Sequence, residues 1–389
     1  MKKISILMLI LLALTQVAAA AEFTGTYAEA KAQAASQNKP LLLDFFADWC
    51  GPCKQFAAAV NSDADIQKAV ESVVLYRIDS EKGAGKDLAK EFKINAYPSF
   101  YLVNKDNQTL AFWRGYGKSD FIKMLSTSLT DLSTITEKKA RYATHPDLTS
   151  AVVLGRNSSE LGEYKEAVNY YSAANLLSSA ANGYLYDIFT NTANGVEDSL
   201  FTYDESIKAA DAVINQPKKD IGEVIQVCNI MISMAKSNAK QADVAKYTQA
   251  GLDASAGSDD PDIKKAHSML MVDFALSVKH DTATAVEYKK AAMPENWQKD
   301  AGNLNEFAWW CFENKADLTE AEQLSRKSIE LAKPGREKAD CYDTLAEILF
   351  AKGNAKEALE MSKKAVTEAP NNKYFPTQVE RFEKEVGQK

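Results

Sequence analysis

The sequence predicts an α/β domain followed by an all-α solenoid of helical hairpins. In the first third of the 389-residue chain, apolar strand-like runs alternate with helical segments. The apolar run Leu41–Phe46 leads into a Cys-Gly-Pro-Cys sequence at residues 50–53, and a helical segment follows it. From about Glu137 onward, strand-like runs are absent and Ala, Glu, Lys and Leu dominate. Alternating strand and helix patterns, followed by helix patterns alone, predict that the chain forms two different folds one after the other.

The N-terminus has the pattern of a secretory signal peptide at residues 1–21. Two lysines precede an apolar stretch at residues 4–14, and small residues lead to Ala20 and Ala21, after one of which we expect cleavage. The apolar stretch is shorter than a typical membrane span, so an uncleaved anchor is the less favoured alternative. The sequence therefore predicts an exported protein, periplasmic and soluble after cleavage.

Charge and cysteine content exclude several classes of function. The net charge is −7 and the sequence contains no strongly basic segment, which argues against nucleic-acid binding. Five cysteines in a chain of this length do not form a disulfide scaffold. Outside residues 50–53, we expect Cys228, Cys311 and Cys341 to be small buried helix residues, with a Cys311–Cys341 disulfide as the alternative.

The α/β domain is assigned to residues 22–135, and each of its elements has a local signal. Asn38-Lys39-Pro40 ends the first helix, Ser62 is the expected N-cap of the third, and glycines at 115 and 117 end the last strand. We expect helices at 27–37, 50–60, 63–71, 86–92 and 119–129, and strands at 41–46, 73–78, 99–103 and 109–113.

The Cys-Gly-Pro-Cys sequence has the layout of a redox dithiol. Cys50 is expected at or beside a helix N-terminus, where unpaired N–H groups and the helix dipole favour a thiolate. Pro52 suits the first turn of that helix. Cys50 is the expected exposed nucleophile, and Cys53, one turn further and more buried, is the expected resolving thiol. Half of a zinc site is the alternative, but no second Cys-x-x-Cys or paired-histidine motif completes it, so no metal is predicted.

Three neighbours bear on the chemistry of this dithiol. Asp44 lies in the apolar strand, where burial should raise its pKa and suit it as proton acceptor for Cys53. A solvent-facing Asp44 is the alternative. Trp49 is expected to shield the thiolate and touch substrate, with plain packing as the alternative. Asp48 adds a negative charge that would oppose thiolate formation.

Residues from about 22 to 132 resemble the thioredoxin family. Residues 49–54, Trp-Cys-Gly-Pro-Cys-Lys, match its active-site motif, and Asp44 matches its buried aspartate. Tyr97-Pro98-Ser99 matches its cis-proline loop, and Gly115 matches a glycine of its substrate groove. The resemblance implies the thioredoxin fold and thiol–disulfide exchange that uses the Cys50–Cys53 disulfide and no other cofactor. It also implies substrate binding by Trp49, Tyr97, Pro98 and Gly115.

The details are closest to one branch of the family. The stretches Lys39–Asp44 and Ser62–Ile66 resemble the C-terminal domain of exported thiol–disulfide interchange reductases, and Gly-Pro between the cysteines resembles the reducing members. One departure stands out. The family often has a lysine close to the buried aspartate, and here we expect Leu75 or Tyr76 at that place. Proton handling around Asp44 should therefore differ.

Residues 136–389 contain a repeating helical pattern. Small residues such as Ala346, Ala358 and Ala365 recur at matching intervals, as required where two helices of a hairpin touch. The pattern resembles the tetratricopeptide repeat, a helix hairpin of about 34 residues, and predicts a right-handed solenoid of about five or six hairpins. Clear copies are expected at Leu148–Ser179, Gly302–Pro334 and Ala339–Pro370, another hairpin at Val224–Ala250, and second helices of weaker copies at Tyr203–Pro217 and His280–Ala292.

Two features of this region have competing interpretations. The pair Trp309-Trp310 is expected to pack between hairpins, with Trp309 facing inward, and recognition of a partner is the alternative. Gly251–Asp262 is small, acidic and polar, and is expected to be a loop between helices.

Together these observations predict an exported thiol–disulfide oxidoreductase that reduces protein disulfides. Its expected partners are protein disulfide substrates, an unknown protein bound by the repeats, and a membrane reductase as electron donor; nucleic acid is not expected. Two alternatives stay open, a disulfide oxidase or isomerase and a non-catalytic binding scaffold. An intact Cys50/Cys53 pair argues against the scaffold, because binding alone requires neither cysteine.

Overall fold

The computed structural model describes residues 23–178 and 183–387. Its internal contacts divide the chain into two compact units, one ending at Ala209 and the other beginning at Ala210. The predicted signal peptide, residues 1–21, lies outside the described residues, as does Ser179 at the end of the first predicted repeat. The predicted domain boundary at residues 135/136 stays a prediction.

The first unit contains a four-stranded sheet in the order β2-β1-β3-β4. β1 runs parallel to β2 and antiparallel to β3, and β3 forms an antiparallel hairpin with β4. The predicted helices and strands are confirmed to within a few residues. The strands are β1 (Leu41–Phe46), β2 (Val74–Asp79), β3 (Ser99–Val103) and β4 (Thr109–Arg114), and the helices are α1 (Tyr27–Gln37), α2 (Gly51–Ser62), α3 (Ala64–Val70), α4 (Gly85–Glu91) and α5 (Lys118–Leu129).

Strand alternation sorts the apolar side chains of β1 onto two cores. Leu41, Leu43 and Phe45 pack on the face covered by α1 and α4, whereas Leu42 packs on the opposite face with Phe56 of α2. Successive side chains of a strand point to opposite faces, so Asp44 shares the α2 face with Leu42. The strand therefore directs one carboxylate toward the side of the sheet that carries the active-site helix.

The N-cap of α3 differs from the prediction by one residue. Ser62 is the last residue of α2, and its hydroxyl donates to the Ala58 carbonyl (2.9 Å). Asp63 caps α3 instead, since its side chain accepts from the amides of Asp65 and Ile66. Asp63 has the extended backbone that an N-cap requires (φ −101°, ψ 115°), which Ser62, still within α2, does not have.

Helices α6 and α7 pack against the four-stranded sheet at strand β4. Lys138 of α6 is fully buried, and its Nζ donates to the carbonyls of Leu110 (3.4 Å), Asp131 (2.9 Å) and Ser133. Burial lowers the pKa of Lys138. The helices that follow the sheet up to the division of the chain are α6 (Ile135–Tyr142), α7 (Leu148–Glu160), α8 (Tyr164–Leu177), α9 (Leu185–Glu197) and α10 (Tyr203–Ile214), which spans it.

The second unit is helical throughout its described residues and confirms the predicted hairpins. Successive helices pair as α11 with α12, α13 with α14, α15 with α16 and α17 with α18. None of the helices in residues 23–178 and 183–387 is long and apolar enough to cross a membrane. The helices are α11 (Ile221–Ser237), α12 (Gln241–Ser255), α13 (Pro261–Asp273), which continues as a π-helix (Phe274–Lys279), α14 (Thr282–Ala292), α15 (Ala301–Glu313), α16 (Leu318–Leu331), α17 (Arg336–Ala351), α18 (Ala355–Glu368) and α19 (Tyr374–Gly387).

Two details of this unit depart from the prediction. The loop expected at Gly251–Asp262 is shorter, because α12 continues to Ser255 and α13 begins at Pro261. Both tryptophans of the pair are half-buried; Trp310 packs against two buried clusters, and Trp309 contacts Phe312. Trp310, and not Trp309 as expected, is therefore the one of the pair that packs against the buried clusters.

The cysteines of this unit follow the favoured prediction. Cys228, Cys311 and Cys341 are buried free thiols, so the alternative Cys311–Cys341 disulfide is wrong. Burial raises the pKa of Cys228 and of Cys311 to about 12. Thiols with such pKa values are almost entirely protonated near neutral pH and hence poor nucleophiles.

Two carboxyl side chains are buried where α17 meets the last helix. Asp343 is 7% exposed and accepts a hydrogen bond from the Tyr374 hydroxyl (3.2 Å), and Glu347 pairs with Arg381. Burial, followed by the charge of Glu347, raises the pKa of Asp343 to about 6. Burial also raises the pKa of Glu347.

We expect the second unit to lose stability as the pH rises from about 4 to about 7. The folded Asp343 carboxyl has a higher pKa than the unfolded one, so in this window the folded state binds more protons. The protonated Asp343 carboxyl stabilises the folded state fully below the unfolded pKa, and this stabilisation is lost as the pH rises through the folded pKa. Hydrogen exchange of the α19 amides at several pH values in this range measures the slope. Asp343→Asn should flatten the slope and Glu360→Gln, an exposed carboxyl of the same unit, should not; an unchanged slope in Asp343→Asn would contradict the prediction.

Candidate active site

The two cysteines of the motif form a disulfide at the N-terminus of α2. Cys50 and Cys53 are joined by an S–S bond of 2.03 Å. Cys50 is the N-cap of α2, and its Sγ accepts a hydrogen bond from the Cys53 amide (3.2 Å). Pro52 lies in the first turn, where its missing N–H costs no hydrogen bond. The predicted placement of the pair at the start of a helix is therefore observed.

The expected exposure of Cys50 is wrong for this disulfide-bonded state. Cys50 is 4% exposed and Cys53 is 1% exposed, so the order of burial is as expected but both are buried. Ala47 belongs to the same cluster, and Phe46 and Tyr97 pack against it. Side chains from β1 and from the loop before β3 thus cover the sulfur atoms.

The rim of the site carries an exposed aromatic ring and a compensated charge. Trp49 is 69% exposed, so the packing alternative is wrong; its Nε1 donates to Glu81 Oε1 (2.9 Å), and its ring meets Tyr97 edge-on. Asp48 pairs with Lys82, which also pairs with Asp79 (2.9 Å). The expected opposition of Asp48 to a thiolate at Cys50 is therefore reduced by a neighbouring ammonium.

Asp44 is fully buried, which excludes the solvent-facing alternative. Its Oδ2 accepts a hydrogen bond from Arg77 Nε (2.7 Å), because the parallel register of β1 and β2 places these residues side by side. The prediction of Leu75 or Tyr76 at this position is wrong. Burial favours a neutral carboxyl and the guanidinium favours a carboxylate, so the two influences on Asp44 oppose each other.

Arg77 is the site residue that sequence reasoning missed. Its guanidinium also lies over the ring of Phe46 (4.5 Å to the centroid), and Phe46 packs against the cysteine cluster. An arginine in a strand, one residue before an apolar Ile78, carries no local signal of such a role. Only the register between β1 and β2 brings Arg77 next to Asp44, and that register depends on the packing of the whole sheet.

The predicted substrate-binding loops lie together beside the disulfide. The Tyr97–Pro98 peptide is cis, and Pro98 is buried. The amide of Gly115 donates to the Pro98 carbonyl (2.9 Å), which joins the two loops. Gly115 has φ +77°, a left-handed conformation that glycine adopts without strain, and among the described residues other than its two chain neighbours no atom lies within 4 Å of where a Cβ would be.

Helix α7 binds both backbone polar groups of Arg114, the residue before Gly115. The Arg114 amide donates to Glu160 Oε1 (3.1 Å), and its carbonyl accepts from Arg156 Nη2 (3.1 Å). Arg156 and Glu160 also form an ion pair (2.8 Å), and Arg156 lies 3.2 Å from Asp120 of α5. Side chains of α7 thus fix the backbone at the start of the Gly115 loop.

No metal cluster accompanies this disulfide in the described part of the chain. Among residues 23–178 and 183–387, no three His, Cys, Asp or Glu side chains are grouped so that they could hold a metal ion. The structure brings together Cys50, Cys53 and Tyr97, links Pro98 to Gly115, and places Trp49 at the rim.

Comparisons with known proteins agree with this division into two folds. A family model described as Thioredoxin matches residues 23–127, and one described as Tetratricopeptide repeat matches residues 339–372. Thioredoxin-1 of Drosophila melanogaster is 32% identical over 92 residues, which are 24% of this chain and 81% of that protein. The chain belongs to the thioredoxin family.

Further relatives match one part of the chain at a time. The thiol:disulfide interchange protein DsbD of Klebsiella pneumoniae is 34% identical over 99 residues, 25% of this chain and 16% of that protein. A tetratricopeptide repeat protein from Parabacteroides merdae, known as a crystal structure, aligns with 68% of this chain and 95% of its own, at 13% identity and a TM-score of 0.38. The chain spans 16%, 30% and 17% of the length of the first three curated relatives.

The predicted fold class is confirmed for both parts of the chain. A thioredoxin fold with a Cys50–Cys53 disulfide precedes a helical region of tetratricopeptide type. Within the thioredoxin fold, Asp44, Trp49, Tyr97, Pro98 and Gly115 occupy the places described above, and their roles in a reaction are proposals.

Proposed function

We propose that this chain is an exported thiol–disulfide oxidoreductase that reduces disulfides in protein substrates, and that its repeats bind a further protein. The observation that carries the proposal is a cysteine pair that forms its disulfide at the N-cap of a helix. At this position the helix dipole and the free N–H groups stabilise a Cys50 thiolate once the bond is reduced.

In the first step, the Cys50 thiolate attacks one sulfur of the substrate disulfide. A Cys50–substrate disulfide forms, the substrate S–S bond breaks, and the departing sulfur takes a proton from solvent. Tyr97 packs against the cysteine cluster, Trp49 meets Tyr97 edge-on, and the Gly115 amide donates to the Pro98 carbonyl. These four residues are the proposed substrate contacts. Since Cys50 is covered in the oxidised state, we expect its sulfur to become more accessible on reduction.

In the second step, Cys53 attacks the sulfur of Cys50. The Cys50–Cys53 disulfide re-forms, the substrate leaves as a dithiol, and two electrons have passed to it. Cys53 is buried, which disfavours its thiolate, so the step requires a proton acceptor. Asp44 is the proposed acceptor, because it lies on the sheet face toward α2, and Arg77 is positioned to stabilise the carboxylate.

Each cycle leaves the protein oxidised, so a dithiol donor has to restore Cys50 and Cys53. We propose a membrane reductase as this donor and the periplasm as the location, on the basis of the signal-like residues 1–21. The DsbD relative is by its name a thiol:disulfide interchange protein, which supports the exchange chemistry. A protein partner for the repeats is supported by the tetratricopeptide match at residues 339–372.

The reduction potential of Cys50–Cys53 tests the direction of electron flow. Equilibration of the purified protein in dithiothreitol or glutathione buffers should give about −270 mV, the value typical of a reducing thioredoxin. A value near −120 mV, roughly that of a strong oxidant, would instead support the oxidase or isomerase alternative. Absence of a titratable disulfide would support the scaffold. Cys341→Ser is the control, because its buried thiol is not part of the couple.

A further inference from the structure

A groove is lined by residues of α4 and of the segments on either side of it, and by Tyr97, which packs against the cysteine cluster. Its volume is about 440 Å³. Tyr97 packs against the cluster of Cys50 and Cys53, and its ring meets that of Trp49 at 5.7 Å between centroids. A substrate whose cysteine reaches Cys50 can therefore continue into this space. The groove is called the lysine groove below, and the lining residues used in the argument are Ser80, Glu81, Lys86, Lys90, Lys93, Ile94 and Tyr97.

The charge of the lysine groove is opposite to that of the chain. Lys86, Lys90 and Lys93 are exposed, and none of them forms an ion pair with a carboxylate of residues 23–178 or 183–387. Glu81 is the acidic residue of the lining, and its carboxylate accepts the hydrogen bond of the Trp49 indole (2.9 Å). In a chain of net charge −7, the lining therefore has a local excess of positive charge with available donors, and the acidic residues Asp87 and Glu91 lie on α4 outside the lining.

The lysine groove also contains a buried polar atom that lacks a partner. Ser80 is 6% exposed and lines the groove, yet its hydroxyl has no hydrogen-bond partner among the described residues. Its backbone is fixed, since the Ser80 amide donates to the Phe46 carbonyl (2.9 Å). Leaving a buried hydroxyl unsatisfied is unfavourable, and a ligand oxygen that accepts from it, once the Ser80 side chain turns toward the groove, would remove this cost.

We propose that the lysine groove binds an acidic, extended segment of the substrate that flanks the disulfide to be reduced. The inference rests on the proposed function, and it names the substrate class of that site. Carboxylates of the segment meet the three ammonium groups, and one oxygen accepts from Ser80. Ile94 offers apolar contact. Three cations are too few to track a nucleic-acid backbone, whereas a short peptide segment matches both their number and their closeness to Tyr97.

Two disulfide-bonded peptides of the same length provide the test. In one, the residues flanking the cysteine are Asp and Glu, and in the other they are Asn and Gln. Single-turnover reduction by the pre-reduced full chain gives a second-order rate constant for each peptide. We expect the acidic peptide to react about 10-fold faster, and the ratio to fall toward one as salt screens the lysines.

Matched variants locate the preference in the lysine groove. The triple variant Lys86→Gln/Lys90→Gln/Lys93→Gln should lower the acidic-to-neutral ratio to about one by slowing reduction of the acidic peptide. Lys68→Gln/Lys139→Gln/Lys165→Gln changes the net charge equally at exposed lysines of the same unit, and should keep the ratio. Ser80→Ala should lower the ratio about 3-fold while the melting temperature stays the same or rises, because no partner in the free protein is lost.

A binding measurement separates failure of this inference from failure of the proposed function. Linear peptides with serine in place of cysteine are titrated onto the oxidised protein. Reduction of both peptides at equal rates, or a ratio unchanged in the groove triple variant, overturns the inference and leaves the oxidoreductase intact. If neither peptide is reduced but the acidic linear peptide still binds about 10-fold more tightly through the three lysines, the lysine groove stands and the proposed function is wrong.

Discussion

Cys50→Ser is expected to lower the rate of protein-disulfide reduction by roughly 10³-fold or more. A serine hydroxyl at the N-cap of α2 does not ionise near neutral pH and cannot form a mixed disulfide. Cys53 is not expected to take over, since it lies inside the first turn of α2 and lacks the N-cap position that favours the Cys50 thiolate. Reduction of a disulfide-bonded protein, followed as free thiol released per mole of pre-reduced enzyme, measures the effect.

Two further substitutions make this result interpretable. Cys228→Ser removes a buried thiol whose pKa burial raises to about 12, so it should leave the rate unchanged. Cys53→Ser should stop the reaction at the Cys50–substrate disulfide, and mass spectrometry of the trapped species would identify substrates. Full turnover by Cys50→Ser would refute the proposed reaction at Cys50. A wild-type protein that binds a partner through its repeats but reduces no disulfide would favour the scaffold alternative.

Arg77→Met should destabilise the thioredoxin fold by about 3 kcal/mol at neutral pH. Removal of the guanidinium leaves Asp44 fully buried without the hydrogen bond from Arg77 Nε. The loss should shrink at acid pH, where the carboxyl can take up a proton. Hydrogen exchange of the β1 amides under denaturant reports on this fold separately from the helical repeats.

A double substitution distinguishes a charge effect from loss of packing. In Asp44→Asn/Arg77→Met no buried charge is left, so most of the stability should return. Arg336→Met removes an exposed ion pair with Asp340 and should cost no more than about 0.5 kcal/mol. Equal losses in Arg77→Met and in the double variant would show that Arg77 acts through its contact with Phe46 and not through Asp44.

Local sequence signals are sufficient to predict the Cys-Gly-Pro-Cys motif and the strand and helix on either side of it. The apolar run of β1 and the small, proline-containing start of α2 follow from the residues themselves, and they place Cys50 at a helix N-terminus. Burial of Asp44 follows from its apolar neighbours. These parts of the site depend on interactions within a few residues, which a single sequence records directly.

Features that depend on distant segments could not be predicted in the same way. Asp44 and Arg77 are 33 residues apart in the sequence, and they pair because β1 and β2 align in one particular parallel register. A single sequence does not reveal that register. Burial of Cys50 requires the loop at Tyr97 to close over it. The small, acidic and polar composition of residues 251–262 predicts a loop, but Gly251 lies inside α12, where an added Cβ would be 2.8 Å from Leu270 Cδ1. There the absence of a side chain serves close packing, and not a turn.

The coverage of β4 by α6 and α7 has a consequence for solubility. A strand at the edge of a sheet offers its free backbone groups to the edges of other molecules, and this is a common start of aggregation. Here Lys138 donates a hydrogen bond to the Leu110 carbonyl. Glu160 accepts from the Arg114 amide, and Arg156 donates to the Arg114 carbonyl. A redox domain excised after residue 134 would expose this edge again. Its transfer into another protein therefore requires α6 and α7 to be carried with it.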